Sequence, residues 1–265
     1  MPPWPMDRPG KRRPDELCRT TPAKRAGLGP AWSRASARLA PNLSVRAMTK
    51  PPNIHNQRSV FIEAAGLEAL HGAPEGAVGT IVFAHGSGSS RFSPRNNQVA
   101  EGLRAAGFAT LLVDLLTQQE EEDRVKVFDI KLLAARLAAA TEWLRQMPTE
   151  ATLPIGYFGA STGAGAALLA ASAGPNWIGA VVSRGGRPDL AGSSALARVR
   201  APTQLIVGGR DLPVMELNRE AMRHLRCDHE LVIVPNAHHL FEEPGALDEV
   251  IGHATRWFRH HLLSC

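Results

Sequence analysis

Three cysteines, a single tyrosine and no run of eighteen apolar residues mark what this chain of 265 residues does without. Cys18, Cys227 and Cys265 are too few and too scattered for a disulfide framework or a paired C-x-x-C metal site. That usage fits a reducing, cytoplasmic compartment. Without a long apolar run no helix is expected to span a bilayer, and no membrane partner is expected. G-K-[ST] is absent, which excludes a P-loop, and the histidines form no H-E-x-x-H pattern and have no cysteine partners. Neither a metal nor an organic cofactor is implied.

Acidic residues are scarce only at one end. The formal net charge is +5, and Met1 to Lys50 holds 11 of the 30 Lys and Arg against 3 of the 25 Asp and Glu, leaving 19 against 22 for the rest. The body is slightly acidic, so the basic balance describes a tail and not a nucleic-acid-binding face. Residues 1–54 are rich in Pro, Arg and Ala and show no apolar period, so they read as a disordered tail, with Met48 as an alternative start. Arg12-Arg13 lacks the apolar segment that a secretory signal needs next. Residues 55–265 are long enough for one well-buried domain.

Within that domain β-rich runs alternate with helical ones. Strands are expected at "SVFIEA", "TIVFAHG", "ATLLVDLL", "LPIGYFG", "IGAVVSR", "PTQLIVGGRD" and "HELVIVPNA". Helices are expected at "PRNNQVAEGLRAAGF", "VFDIKLLAARLAAATEWLRQM", "GAGAALLAASAG", "VMELNREAMRHLR" and from Pro244 to about His261. Repeated β-α-β units with near-continuous apolar strands imply an α/β fold, a mostly parallel sheet covered by helices on both faces. In such sheets ligands bind beyond the carboxyl ends of the strands.

The stretch "YFGASTGAGAALLAA" has two readings: a dinucleotide loop, or a G-x-S-x-G turn presenting Ser161. A dinucleotide loop follows the first strand and, in a short-chain dehydrogenase, precedes a Tyr-x-x-x-Lys. Here the loop follows a late strand, and the chain's one tyrosine, Tyr157, lies upstream of it. The second reading supplies what it requires: an apolar strand, a turn flanked by Gly159 and Gly163, and a small-residue helix packed beneath. A serine hydroxyl needs a base and an orienting acid, which in this arrangement follow in the order Ser, Asp, His on loops after later strands. Asp211 ends "QLIVGGRD" and His239 lies in "VPNAHHLFEEPG", with Asp189 and His238 as their competitors. For the oxyanion, one backbone N–H is expected from Thr162 and one from Ser87, the residue after His85-Gly86. His85 is expected to fix that loop through a backbone hydrogen bond.

Together "FAHGSGSS", "GASTG", "SRGGRPDLAG", "LIVGGRD" and "HHLFEEPGAL" resemble the dienelactone-hydrolase-like branch of the α/β-hydrolase family, five motifs in order from about Ser59 to the C-terminus. The resemblance implies an α/β-hydrolase fold with a Ser-His-Asp triad acting on esters or related acyl bonds, and its "HLFEEPG" motif aligns the base with His239. Dienelactone hydrolases themselves typically use cysteine as the nucleophile where this chain has Ser161, so their named substrate is not carried over.

Arg91 and Arg95 follow the oxyanion loop and Arg184 and Arg187 follow "IGAVVS", so all four are candidates to bind substrate, which would then be an anionic ester or lactone. Only about seventeen residues, Gly185 to Ala201, separate the strand after the elbow from the next, too few for a cap domain. The resulting expectation is a lidless serine hydrolase of small soluble esters or lactones. Its alternatives are a non-catalytic binding module on the same fold, and a thioesterase or acyltransferase using the same triad.

Overall fold

The computed structural model describes residues 57–174 and 178–263, so the tail expected over residues 1–54, with Met48 inside it, lies outside the described range. The strands are β1 (Gln57–Ile62), β2 (Leu67–Gly72), β3 (Thr80–Ala84), β4 (Ala109–Val113), β5 (Ile155–Ala160), β6 (Ile178–Arg184), β7 (Thr203–Gly208) and β8 (His229–Val234). They form one sheet in the order β1-β2-β4-β3-β5-β6-β7-β8. β1 pairs antiparallel with β2, and β2 with β4; every other neighbouring pair is parallel.

The helices are α1 (Pro94–Ala105), α2 (Gln118–Glu121), α3 (Arg124–Val127), α4 (Ile130–Arg145), α5 (Thr162–Ala173), α6 (Ser193–Leu196), α7 (Leu212–Met222) and α8 (Ala246–Leu263). Every residue of β3, β4, β5 and β7 is buried, because helices cover both faces and no polar side is needed. Successive side chains therefore divide between two cores. Val82, Leu111, Tyr157, Val181 and Leu205 pack with α4 and α5, whereas Phe83, Leu112, Phe158, Val182 and Ile206 pack with α1 and α8.

Two parts of the sequence reading need correcting. β2 was not expected as a strand: "LEALHG" combines Glu68, which is exposed, with His71, which is buried and bonds Glu150 at 2.7 Å, so its pattern is neither alternating nor continuously apolar. The long helix expected from Val127 begins three residues later. Asp129 takes the N-cap position, its carboxylate accepting from the amides of Lys131 and Leu132, and the chain before it forms the single turns α2 and α3 instead. Between β6 and β7 there is one 3-10 turn, Pro188–Ala191, followed by α6, and no cap domain.

Candidate active site

Parallel register brings the carboxyl ends of five strands to one edge. Ala84 at the end of β3 pairs with Gly159 in β5, Ala160 with Arg184 at the end of β6, and Gly208 at the end of β7 with Val234 at the end of β8. The segments that leave these ends carry His85 to Ser87, Ser161, Asp211 and His239. A cavity of about 710 Å³ opens here, lined by Ser87, Ser161, Thr162, Arg184 and His239 among others, within the range typical of small-molecule sites.

Ser161 stands between β5 and α5 at φ 50 and ψ −122, a conformation rare for a residue with a side chain. It persists because the surroundings leave little alternative. Its N–H donates to the Arg184 carbonyl at 3.3 Å, and its own carbonyl accepts from the Ala164 and Arg187 amides at 3.1 and 3.0 Å. Glycines make the close approach possible: a Cβ at Gly163 would lie 2.1 Å from the Ala84 carbonyl oxygen, and one at Gly159 would lie 2.4 Å from the Ala164 Cα. The "SRGGR" segment thus grips the turn through its backbone, a role its sequence did not suggest.

Asp211 occupies the N-cap position of α7 but makes no cap bond with its side chain. Its Oδ2 instead meets His239 Nδ1 at 2.6 Å, with the carboxylate 11% exposed. A proton on Nδ1 shared with a carboxylate leaves Nε2 as the nitrogen free to exchange protons. The competitors are engaged elsewhere. Asp189 accepts from Arg187 Nε and Nη2 at 2.9 and 2.7 Å, and His238 points outward with its Nδ1 2.5 Å from Glu243 Oε1. Among the described residues no hydrogen bond joins Ser161 Oγ to His239; the two side chains share the cavity wall.

In the loop after β3, His85 Nδ1 lies 3.0 Å from the Gly86 carbonyl oxygen. The loop is tied further by Asp114, 8% exposed just past β4, which accepts from the Arg91 amide at 2.5 Å and pairs with the Arg91 guanidinium. The lone acid in "LLVDLL" was the available signal for this anchor. The Ser87 amide donates to Thr162 Oγ1 at 2.9 Å, so both residues nominated for the oxyanion are adjacent, with the Ser87 N–H already holding a side-chain acceptor.

The four arginines separate into two pairs. Arg91 is turned away from the cavity by Asp114 and by Glu68, whose Oε2 lies 2.6 Å from its Nη2, and Arg187 is held in the fork with Asp189. Neither lines the cavity, because each has a carboxylate partner that draws it elsewhere. Arg95 does line it, with Nη1 donating to Glu242 at 3.0 Å. Arg184 lines it too and is only 7% exposed, with Nε and Nη1 lacking any hydrogen-bond partner and the guanidinium carbon 6.0 Å from the Phe241 ring centroid. Burial, with Arg95 adding repulsion, pushes the Arg184 guanidinium down to about 10. Leu115, Leu116 and Glu121 line the cavity as well. Glu120, the residue before Glu121, accepts from Arg136 Nη1 and Nη2 at 2.5 and 2.7 Å, and Arg136 also bonds the Leu115 carbonyl.

Among the described residues no helix is long and apolar enough to cross a membrane, and no group of three or more His, Cys, Asp or Glu is placed to hold a metal ion. Comparison with known proteins adds the lineage. Residues 67–259 match the model of the dienelactone hydrolase family. The chain is 55% identical to a dienelactone hydrolase from Anabaena variabilis of known crystal structure, covering 80% of this chain and all of that one with a TM-score of 0.75. The structure of Est1E from Butyrivibrio proteoclasticus shares the fold at 13% identity, with a TM-score of 0.67 over 78% of this chain and 99% of that one. A protein of Mycobacterium tuberculosis (strain H37Rv), provisionally named a phosphoribosyl transferase, is 53% identical over 86% of this chain and 52% of its own length. The chain thus spans about half the length of that curated relative. With the family model and the fold in agreement over the domain that builds this cavity, the chain belongs to the dienelactone hydrolase family.

Proposed function

We propose that the chain is a serine hydrolase of small soluble acyl substrates, esters and lactones above all, with Ser161 as nucleophile, His239 as general base and acid, and Asp211 as the group that orients His239. The reading is supported chiefly by the His239–Asp211 hydrogen bond on the wall of the cavity that also holds the strained Ser161. Ser161 Oγ attacks the acyl carbonyl carbon while its proton passes to His239 Nε2. Collapse of the tetrahedral intermediate breaks the bond to the leaving oxygen, which takes that proton. A water then attacks the acyl-enzyme, giving its proton to His239, and the proton returns to Ser161 Oγ as the carboxylic acid leaves. Asp211 stays ionised throughout and stabilises the imidazolium.

We extend the reading to anionic substrates. A buried guanidinium without a carboxylate is costly unless something pairs with it, and a substrate carboxylate would give Arg184 that partner. We extend it also to a cytoplasmic setting, a reading supported by the few, scattered cysteines, which fit a reducing compartment. Hydrolysis of p-nitrophenyl acetate by wild type, Ser161→Ala and His239→Ala is the test, with turnover expected in the first and lost in both variants. Retained turnover in Ser161→Ala would contradict it. For the anionic part, Arg184→Met is expected to lower kcat/KM for mono-p-nitrophenyl succinate at least tenfold relative to p-nitrophenyl butyrate, and an unchanged ratio would remove that part alone.

A further inference from the structure

The oxyanion region contains a group that a hole of two backbone amides leaves without a task. Thr162 is 5% exposed and lines the cavity beside Ser161 and Ser87. Its Oγ1 accepts the Ser87 N–H at 2.9 Å, and among the described residues its hydroxyl proton has no acceptor. A hydroxyl that accepts one hydrogen bond keeps a proton of its own to give, and in a buried setting accepting from an amide strengthens the bond it donates. Thr162 is also the first residue of α5, where the main-chain N–H has no partner within the helix. The two unengaged donors therefore belong to the same residue, next to the nucleophile.

We propose that Thr162 is a catalytic residue: its Oγ1–H and its own backbone N–H together hold the oxyanion, while the Ser87 N–H polarises the hydroxyl from behind without touching the substrate. This rests on the reading of Ser161 as nucleophile. As negative charge grows on the carbonyl oxygen the hydroxyl bond strengthens, so its contribution falls on the transition state and on kcat, with little effect on KM. Branching at Cβ stiffens the side chain, which keeps the hydroxyl aimed without reorganisation during the reaction.

The competing arrangement, in which the Ser87 amide leaves Thr162 and binds the oxyanion itself, makes the opposite prediction. Thr162→Val removes the hydroxyl at nearly constant shape and frees the Ser87 amide. If the hydroxyl is the donor, kcat for p-nitrophenyl acetate falls by roughly 10²- to 10³-fold, the usual cost of one oxyanion donor, with KM changed by less than about threefold. Thr162→Ser then recovers most of the lost rate. An unchanged or raised kcat in Thr162→Val, or a Thr162→Ser variant as slow as it, overturns the assignment. Thr162→Ala, which adds no methyl group in the hydroxyl's place, carries the same comparison if the valine variant fails to fold. A fluorophosphonate adduct on Ser161 in wild type keeps the two levels apart: present, it leaves the nucleophile standing whatever Thr162 does; absent, both readings fall together.

Discussion

Replacing Asp211 by Asn keeps the size of the side chain and removes the charge that faces His239. The carboxylate is 11% exposed and its Oδ2 lies 2.6 Å from Nδ1. With the centres of carboxylate and imidazolium about 4 Å apart and an effective dielectric near 20, the lost attraction is about 4 kcal/mol, or roughly 10³-fold in rate. An asparagine amide that donates to Nδ1 would also put the proton on Nε2, where it cannot accept from serine, and the general triad pattern for that change is about 10⁴. Asp211→Asn should therefore reduce kcat for p-nitrophenyl acetate by roughly 10³- to 10⁴-fold, with KM within a few fold. Helix α7 should survive, because the Asp211 side chain makes no cap bond to lose. Steady-state kinetics on protein of unchanged circular dichroism, with Asp189→Asn as control, checks this. The Asp189 carboxylate is held by Arg187, so the control should keep activity within about tenfold of wild type. Asp211→Asn remaining within tenfold of wild type, or Asp189→Asn falling as far, would refute the assignment.

Gly163→Ala should unfold or disable the elbow, because the new Cβ would lie 2.1 Å from the Ala84 carbonyl oxygen and 2.5 Å from that of His85, and backbone cannot give way as a side chain can. A variant with wild-type melting temperature and turnover would contradict that packing. Arg184→Met should hold or raise the melting temperature, by up to about 2–4 °C per kcal/mol gained, because the buried charge it removes has no carboxylate partner; a clear loss of stability would mean that the guanidinium is paired. Glu120→Gln should destabilise the fold near neutral pH. The fork with Arg136, helped by the Thr117 amide, holds the Glu120 carboxyl down from about 4.5 to about 2. A depressed carboxyl stabilises above its ordinary value and loses that contribution as pH falls from about 4.5 towards 2, so the difference between wild type and variant should shrink over that interval in urea titrations. A difference independent of pH would show that the carboxylate's charge is not the cause.

Long-period features were legible from the chain, and pairwise ones were not. The continuous apolar runs at "TIVFA" and "ATLLV" announced buried parallel strands, and the order of "GASTG", "GGRD" and "NAHH" placed three loops at one sheet edge because each follows a strand. Local polarity misled where a partner lay far away in sequence. His71 in β2 is buried against Glu150, and Arg91 is drawn off by Asp114 and Glu68, contacts that no spacing rule could supply. Arg184 and Arg187, three residues apart, have opposite environments because one ends a buried strand and the other has Asp189 within reach. The Thr162 hydroxyl was hidden for a simpler reason: in sequence it was only the side chain of the residue after Ser161, and its bond to Ser87 spans 75 positions.

Intact-mass analysis of wild type and Ser161→Ala after brief exposure to a fluorophosphonate probe tests the central claim most directly. The account predicts one adduct per chain in wild type, mapped to Ser161 by peptide digestion, and none in the variant. No adduct on folded wild type, or an adduct that survives in Ser161→Ala, would contradict it.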